Sequence, residues 1–367
     1  MSFSGRRPLS IALTVAVALL VAAEAYRRPE LNWDALAYAG AAAELTGADA
    51  GRAQRTAYEA AERFRGGEGP LLSEGHHPEY RRTMRTDAEA FHATLGWYRA
   101  RIGYTAPVAL LMAAGINGIE ATVAVSALSG AGIVLLLSAA GRRWKHGALL
   151  PAALVTAAVL GMVRVARFST PDALATLVLF GAFLLLRDGR RSAYALFPFA
   201  MLVRSDLLVP AVIIAVLHAA VVPKHRIAAA AGIAASLLVV FGLHHWSGYP
   251  GWSEAYLFTF AGSTGGTFDG ALFLSSLGAG VSALGTSTRF FAAAGMTAAG
   301  LAVVLRSGAD PLRHPAARWL LVAVLIIGAR LLLFPMMDVR FLVMPYIIII
   351  VATTDIVDGI VRPAEEP

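Results

Sequence analysis

Hydrophobic positions in this chain come in long blocks separated by short polar clusters. Residues 121–141, 147–163 and 227–243 contain no charged side chain. Each run approaches the ~20 residues that an α-helix needs to cross hydrocarbon. Ala, Leu, Val and Gly dominate these runs, which suits helices packed closely against one another. The blocks predict crossings at roughly 9–25, 119–140, 147–163, 171–187, 192–204, 206–222, 226–244, 289–305, 316–334 and 341–360.

Two further apolar stretches are expected not to cross. Basic clusters at Arg6-Arg7, Arg142-Arg143-Lys145, Arg187/Arg190/Arg191, Lys224/Arg226, Arg306/Arg313/Arg318 and Arg362 all fall on one side if that side is the cytoplasm. An odd number of crossings must then separate Gly103 from Arg142, so residues 104–116 are read as an interfacial or re-entrant segment. Gly270–Thr288, uncharged but weakly hydrophobic, is read the same way. The expected architecture is an all-α polytopic membrane protein with about ten transmembrane helices in one membrane domain. A long extracytoplasmic loop, 26–103, follows the first span, and 361–367 forms a cytoplasmic tail. The loop's eleven arginines do not oppose this orientation, because long loops translocate largely regardless of charge. Within it, Arg52, Arg55, Glu59, Glu62, Arg63 and Arg65 predict an amphipathic surface helix.

Composition agrees with this reading. Of 367 residues, 57% are hydrophobic and only 15% charged, and mean hydropathy is +0.64; soluble domains carry about 25% charge. The formal charge of +7 would suggest nucleic acid in a soluble protein, but here the cations mark topology, and no nucleic-acid partner is expected. No cysteine is present, which excludes disulfides and thiolate ligation. Arg6-Arg7, the apolar stretch Leu9–Ala23 and Ala23-Glu24-Ala25 imitate a cleavable signal peptide. An uncleaved first span, with both termini cytoplasmic, is the favoured reading.

Polar groups gather where this topology places the outer face. Asn32-Trp33-Asp34 follows the first span, and Tyr38 lies four residues after Asp34, on the same face of a helix. Asp34 fits either a helix N-cap or a general base at the level of a lipid headgroup. Arg164 and Arg167 precede Ser169-Thr170-Pro171-Asp172. That sequence makes a good helix start, with Ser169 or Thr170 as cap, while the arginines suit phosphate oxygens. Arg204-Ser205-Asp206 interrupts two short apolar segments, Arg330 lies within 319–337, and Asp338-Val339-Arg340-Phe341 opens the last span. Ionisable groups at such depth are paired or functional. His76-His77-Pro78-Glu79 and Asp87/Glu89/His92 lack helical metal-ligand spacing, so no metal or other cofactor is assigned.

In this order and spacing the residues resemble the GT-C superfamily of membrane glycosyltransferases, which use polyprenyl-phosphate-linked sugars. The resemblance spans most of the chain. It consists of Asp34 with Tyr38, a long first outer loop closing on Tyr104, Pro107 and Gly115, the basic turn Gly141-Arg142-Arg143, Thr170-Pro171-Asp172, Arg204-Ser205-Asp206, and Arg340-Phe341 through Pro345. It implies sugar transfer from a polyprenyl-phosphate donor to a hydroxyl of a glycan, lipid or protein acceptor. Asp34 would be the base and Asp172 a second acid. Arg340, Arg204, Arg164 and Arg167 would hold the carrier phosphate, with Tyr38 and Trp33 against the substrate. Trp97, Trp246 and Trp252 are further candidates for stacking on sugar. Many members append a soluble C-terminal domain, whereas this sequence runs seven residues past Ile360; by that departure, acceptor recognition is expected to fall to the 26–103 and 244–288 loops. A catalytically silent assembly subunit and a lipid or polysaccharide flippase remain as alternatives. The expected location is a bacterial inner (plasma) membrane, with the site facing outward. Because the chain has no native cysteine, single cysteines at Gly75, Phe168 and Asp338 should react with an impermeant maleimide added outside; protection of all three refutes the topology.

Overall fold

The computed structural model describes residues 6–64, 78–262 and 266–360, without the side chains of 6–10 and Pro78. Among the described residues the chain is helical, and its one β-type contact is an isolated bridge between Glu30 and Phe168. His76, His77 and Gly75 lie outside the described residues.

After α1 (Arg6–Arg27) the chain builds a roof of short helices: α2 (Trp33–Leu45), α3 (Ala50–Arg63), α4 (Pro78–Thr86), α5 (Ala88–Thr94) and α6 (Gly96–Arg99). The amphipathic helix expected in this loop is α3. Its Ala53, Ala57, Tyr58, Ala60 and Ala61 are buried, and its N-cap Asp49 accepts from the Arg52 amide at 2.8 Å. Segment 104–116 forms α7 (Ile102–Ala113). Twelve residues span only about 18 Å, short of a hydrocarbon layer of about 30 Å. The helix lies against α2, and the Tyr104 hydroxyl donates to the Thr122 carbonyl at 3.0 Å.

The remainder is α8 (Gly118–Gly141), α9 (Leu149–Val159), α10 (Met162–Arg167), α11 (Asp172–Arg187), α12 (Leu196–Val203), α13 (Leu208–Val221), α14 (Arg226–Ser247), α15 (Trp252–Ala261), α16 (Gly270–Gly285), α17 (Thr288–Arg306), α18 (Pro315–Leu333) and α19 (Val339–Ile360). Among the described residues, five helical segments are long and apolar enough to cross a membrane: α8, Pro223–Ser247, α17, α18 and α19. Shorter apolar helices lie at 102–113, 149–159, 191–203, 205–221 and 270–285. Ile227, Leu238 and Phe241 on α14 and Phe291 and Leu305 on α17 point outward, each more than half exposed. Water would penalise so much uncovered apolar surface, whereas lipid tails match it. The chain is an integral membrane protein.

The central helices are α8, α11 and α19. Ile347, Ile348, Ile349, Ile350 and Val351 of α19 are all buried, as expected of a helix apolar all round and enclosed by neighbours. At one end of α19, Asp355 accepts from Arg187 Nε and from Trp144 Nε1, each at 2.8 Å. These bonds tie its last turns to α11 and to the turn after α8. The segment expected at 147–163 is divided into α9 and α10 at Gly161, whose φ of +118° lies in the left-handed region. A Cβ there would also collide with the Val339 side chain at the start of α19. Gly161→Ala should therefore cost about 1–3 kcal/mol from backbone strain alone, with a lowered unfolding midpoint of the detergent-solubilised protein; an unchanged midpoint refutes this account of the break.

Candidate active site

Five element ends converge on one cavity of about 610 Å³. They are the first turns of α2, α11 and α19, the last turn of α18, and the turn that joins α12 to α13. Asp34, Tyr38, Asp172, Arg204 and Arg340 all line it, together with Asp206, Arg330 and Arg101. Four guanidinium groups and three carboxylates thus share a space whose other walls are largely apolar, including Val209, Pro210, Ile326, Leu333 and Met344.

Arg204 is the hub. It bonds the Asp172 carboxylate directly, and its Nε and Nη2 reach the two Asp206 oxygens at 2.9 and 2.6 Å. Asp172 is 3% exposed, and its other oxygen accepts from the Thr170 hydroxyl at 2.5 Å. Both Asp172 oxygens are therefore committed, which makes it a positioning group for Arg204 more than an acid poised for chemistry. The Ser/Thr cap expected for α11 does not form. Pro171 occupies the cap position, because the Thr170 hydroxyl is turned to Asp172.

Asp34 is held more loosely. Its Oδ1 accepts from the Tyr98 hydroxyl at 2.8 Å. Its Oδ2 has Asn32 Nδ2 at 3.2 Å and Arg340 Nη1 at 3.7 Å. It is not a cap, since Asn32 holds that position. Burial, and then the Asp34 carboxylate, push the Tyr98 hydroxyl well above its ordinary range, so Tyr98 stays a donor at any working pH. Arg101 bonds the Tyr38 hydroxyl and lies 5.6 Å from the ring centroids of both Tyr38 and Tyr98.

Arg330 and Arg340 have spare donors. Arg330 touches Asp206 at 3.4 Å, and the Nε atoms of both arginines are buried without a hydrogen-bond partner. Phe341 organises the cations: its ring centroid lies 3.9 Å from the Arg330 Cζ, 4.8 Å from that of Arg340 and 5.0 Å from that of Arg204. The negative face of the ring offsets part of the repulsion among them. An anion entering the cavity would meet donors that are already placed and incompletely used.

Four sequence candidates fall elsewhere. Arg164 and Arg167 do not line the cavity; both turn to Glu30, at 3.0 and 3.4 Å. Trp33 does not line it either. Its ring packs against Tyr80, Phe91 and Tyr98 at 5.6, 6.4 and 6.0 Å, so it supports Tyr98 from behind. Trp97 and Trp252 do reach the cavity, with Tyr249 and Phe258, whereas Trp246 does not. Sequence reasoning missed Tyr98 and Arg101. Their spacing with Tyr104 repeats every three residues, a signal of one shared helical face, but Arg101 is one of eleven arginines in that loop. Among the described residues, no group of three or more His, Asp or Glu is arranged to hold a metal.

The chain matches no protein-family model, no curated protein and no solved structure.

Arg204→Met would strand Asp172 in the interior. Breaking one partner of a buried pair costs about 3–5 kcal/mol, so the variant should unfold at a clearly lower temperature. Adding Asp172→Leu should recover part of the loss; a double variant no better than the single one refutes the hub.

Proposed function

We propose that this protein is a glycosyltransferase of the GT-C kind, moving a sugar from a polyprenyl-phosphate carrier to an acceptor hydroxyl. One observation carries the reading. A carboxylate with a loosely held oxygen, Asp34, lies 3.7 Å from Arg340 and shares with it and with Arg330, both under-bonded, a cavity whose uncharged walls are largely apolar and aromatic. Such a space suits a substrate with an anionic centre, a hydrocarbon tail and a polar sugar.

In the proposed reaction the acceptor oxygen attacks the anomeric carbon. The bond from that carbon to the phosphate oxygen breaks, and the electron pair leaves with the carrier phosphate. The acceptor proton passes to Asp34 Oδ2, and the sugar is transferred with inversion. The phosphate gains a negative charge as it leaves. Arg340 and Arg330 stabilise that charge, and Arg204 holds Asp206 beside them; fixed donors aimed at developing charge are the strongest contribution a site can make. Trp97 and Trp252 offer flat apolar faces for the sugar or the acceptor.

The proposal includes ten crossings, cytoplasmic termini and an outward-facing site in a bacterial inner membrane. Support for this orientation comes from the basic clusters between apolar segments and from a roof of charge-bearing helices over the cavity. A glycan, glycolipid or protein acceptor would reach the site beneath that roof.

Asp34→Asn keeps the side-chain shape and should lower transfer by about 100- to 10,000-fold, while unfolding temperature and carrier binding stay near wild type. Arg340→Gln should weaken binding of the carrier phosphate. The test is sugar transfer by purified protein with polyprenyl-phosphate donors, alongside glycan and glycolipid profiling of a deletion strain. Undiminished transfer by Asp34→Asn removes Asp34 as the base, and an unchanged glycan profile on deletion removes the transferase reading.

A further inference from the structure

A second, smaller cavity of about 210 Å³ lies on the opposite face of the α19 start, lined by Arg164, Ser287, Arg289, Asp338 and Tyr346 among others. Arg340, Phe341 and Met344 face the large cavity, whereas Asp338, Val339, Leu342 and Tyr346 face this one. The two sites therefore sit back to back on one helix.

The small cavity is polar and incompletely bonded. Arg164 is anchored through Nε to Glu30 at 3.0 Å, and Arg289 through Nε to the Val159 carbonyl at 3.1 Å. Each arginine thus presents its terminal amino groups with its position fixed. The Ser287 oxygen accepts from the Phe290 amide at 3.2 Å, leaving its hydroxyl proton to donate. The Tyr346 hydroxyl is the most telling group. Tyr346 is 1% exposed, and its oxygen has no hydrogen-bond partner. A buried hydroxyl is rarely left unbonded without a ligand or water to receive it. Asp338 supplies the opposite charge. Its Oδ1 accepts from the Arg340 amide at 3.0 Å, and its Oδ2 is open. A cavity of this volume holds a few waters or one small headgroup, and two cations beside a carboxylate match a phosphate that carries an amine.

The geometry points to a second binding site here, for the phosphate diester of an amine-bearing membrane lipid of the phosphoethanolamine type. Arg164, Arg289, Ser287 and Tyr346 donate to the phosphate oxygens, and Asp338 accepts from the ammonium. Exposed apolar side chains of α17, such as Phe291 at 57%, continue from the site as a surface for the acyl chains. The inference is independent of sugar transfer. It requires only that the chain sits in a bilayer.

The test is lipid binding to the delipidated full-length protein in detergent, read by native mass spectrometry and by thermal stabilisation. The probes are phosphatidylethanolamine, phosphatidylglycerol and inorganic phosphate. Phosphatidylethanolamine should bind and raise the unfolding midpoint. Its affinity should fall at least about tenfold in Arg289→Gln and several-fold in Tyr346→Phe, and Tyr346→Phe removes a single oxygen without creating a void. Equal affinity in wild type and both variants overturns the site. Phosphatidylglycerol binding as tightly as phosphatidylethanolamine overturns the amine assignment. Stabilisation by inorganic phosphate alone, with no further gain from lipid, overturns the lipid as the source.

Discussion

Arg204 joins parts of the chain that are far apart in sequence. It sits in the turn between α12 and α13, bonds Asp172 at the start of α11, and shares Asp206 with Arg330 at the end of α18. Isolated charges at such burial are costly, and only mutual pairing with complete hydrogen bonding offsets the desolvation. The pairs therefore constrain one another: displacing any of these helix ends leaves a charge uncompensated in an apolar setting. Placement of Arg330 and Arg340 around Phe341 follows from this constraint, because Phe341 also lies against Arg204.

Charges in the large cavity differ in how tightly they are held, and this difference suits them to different work. Asp172 and Arg204 bond each other and a further partner each and are almost fully buried, which fits a fixed scaffold. Asp34, Arg330 and Arg340 keep unused bonding capacity and partial exposure. An anionic substrate would complete the second set without disturbing the first. Tyr98 connects them to the roof, since its hydroxyl orients Asp34 while Trp33 packs behind its ring.

The start of α19 serves two surfaces at once. Its helical periodicity sends Arg340 and Phe341 to one cavity and Asp338 and Tyr346 to the other. Val339 between them fills the space over Gly161, where α9 breaks from α10. A shift of this one helix would reshape both cavities.

Membrane class, the main apolar helices and the amphipathic α3 were legible in the sequence, because hydrocarbon demands long uncharged runs and a half-buried helix repeats every 3.6 residues. The gathering of Asp34, Tyr38, Asp172, Arg204 and Arg340 followed from their common position at the ends of apolar segments. What that level could not decide was direction around each helix. Arg164 and Arg167 share the level but turn to Glu30, and Trp33 turns inward to an aromatic cluster. Tyr98 and Arg101, buried in a loop rich in arginine, gain their roles only when the roof folds over Asp34 and Tyr38. Hydropathy along a chain fixes depth; contacts between helices fix which side chains face one another, and those contacts exist only in the folded protein.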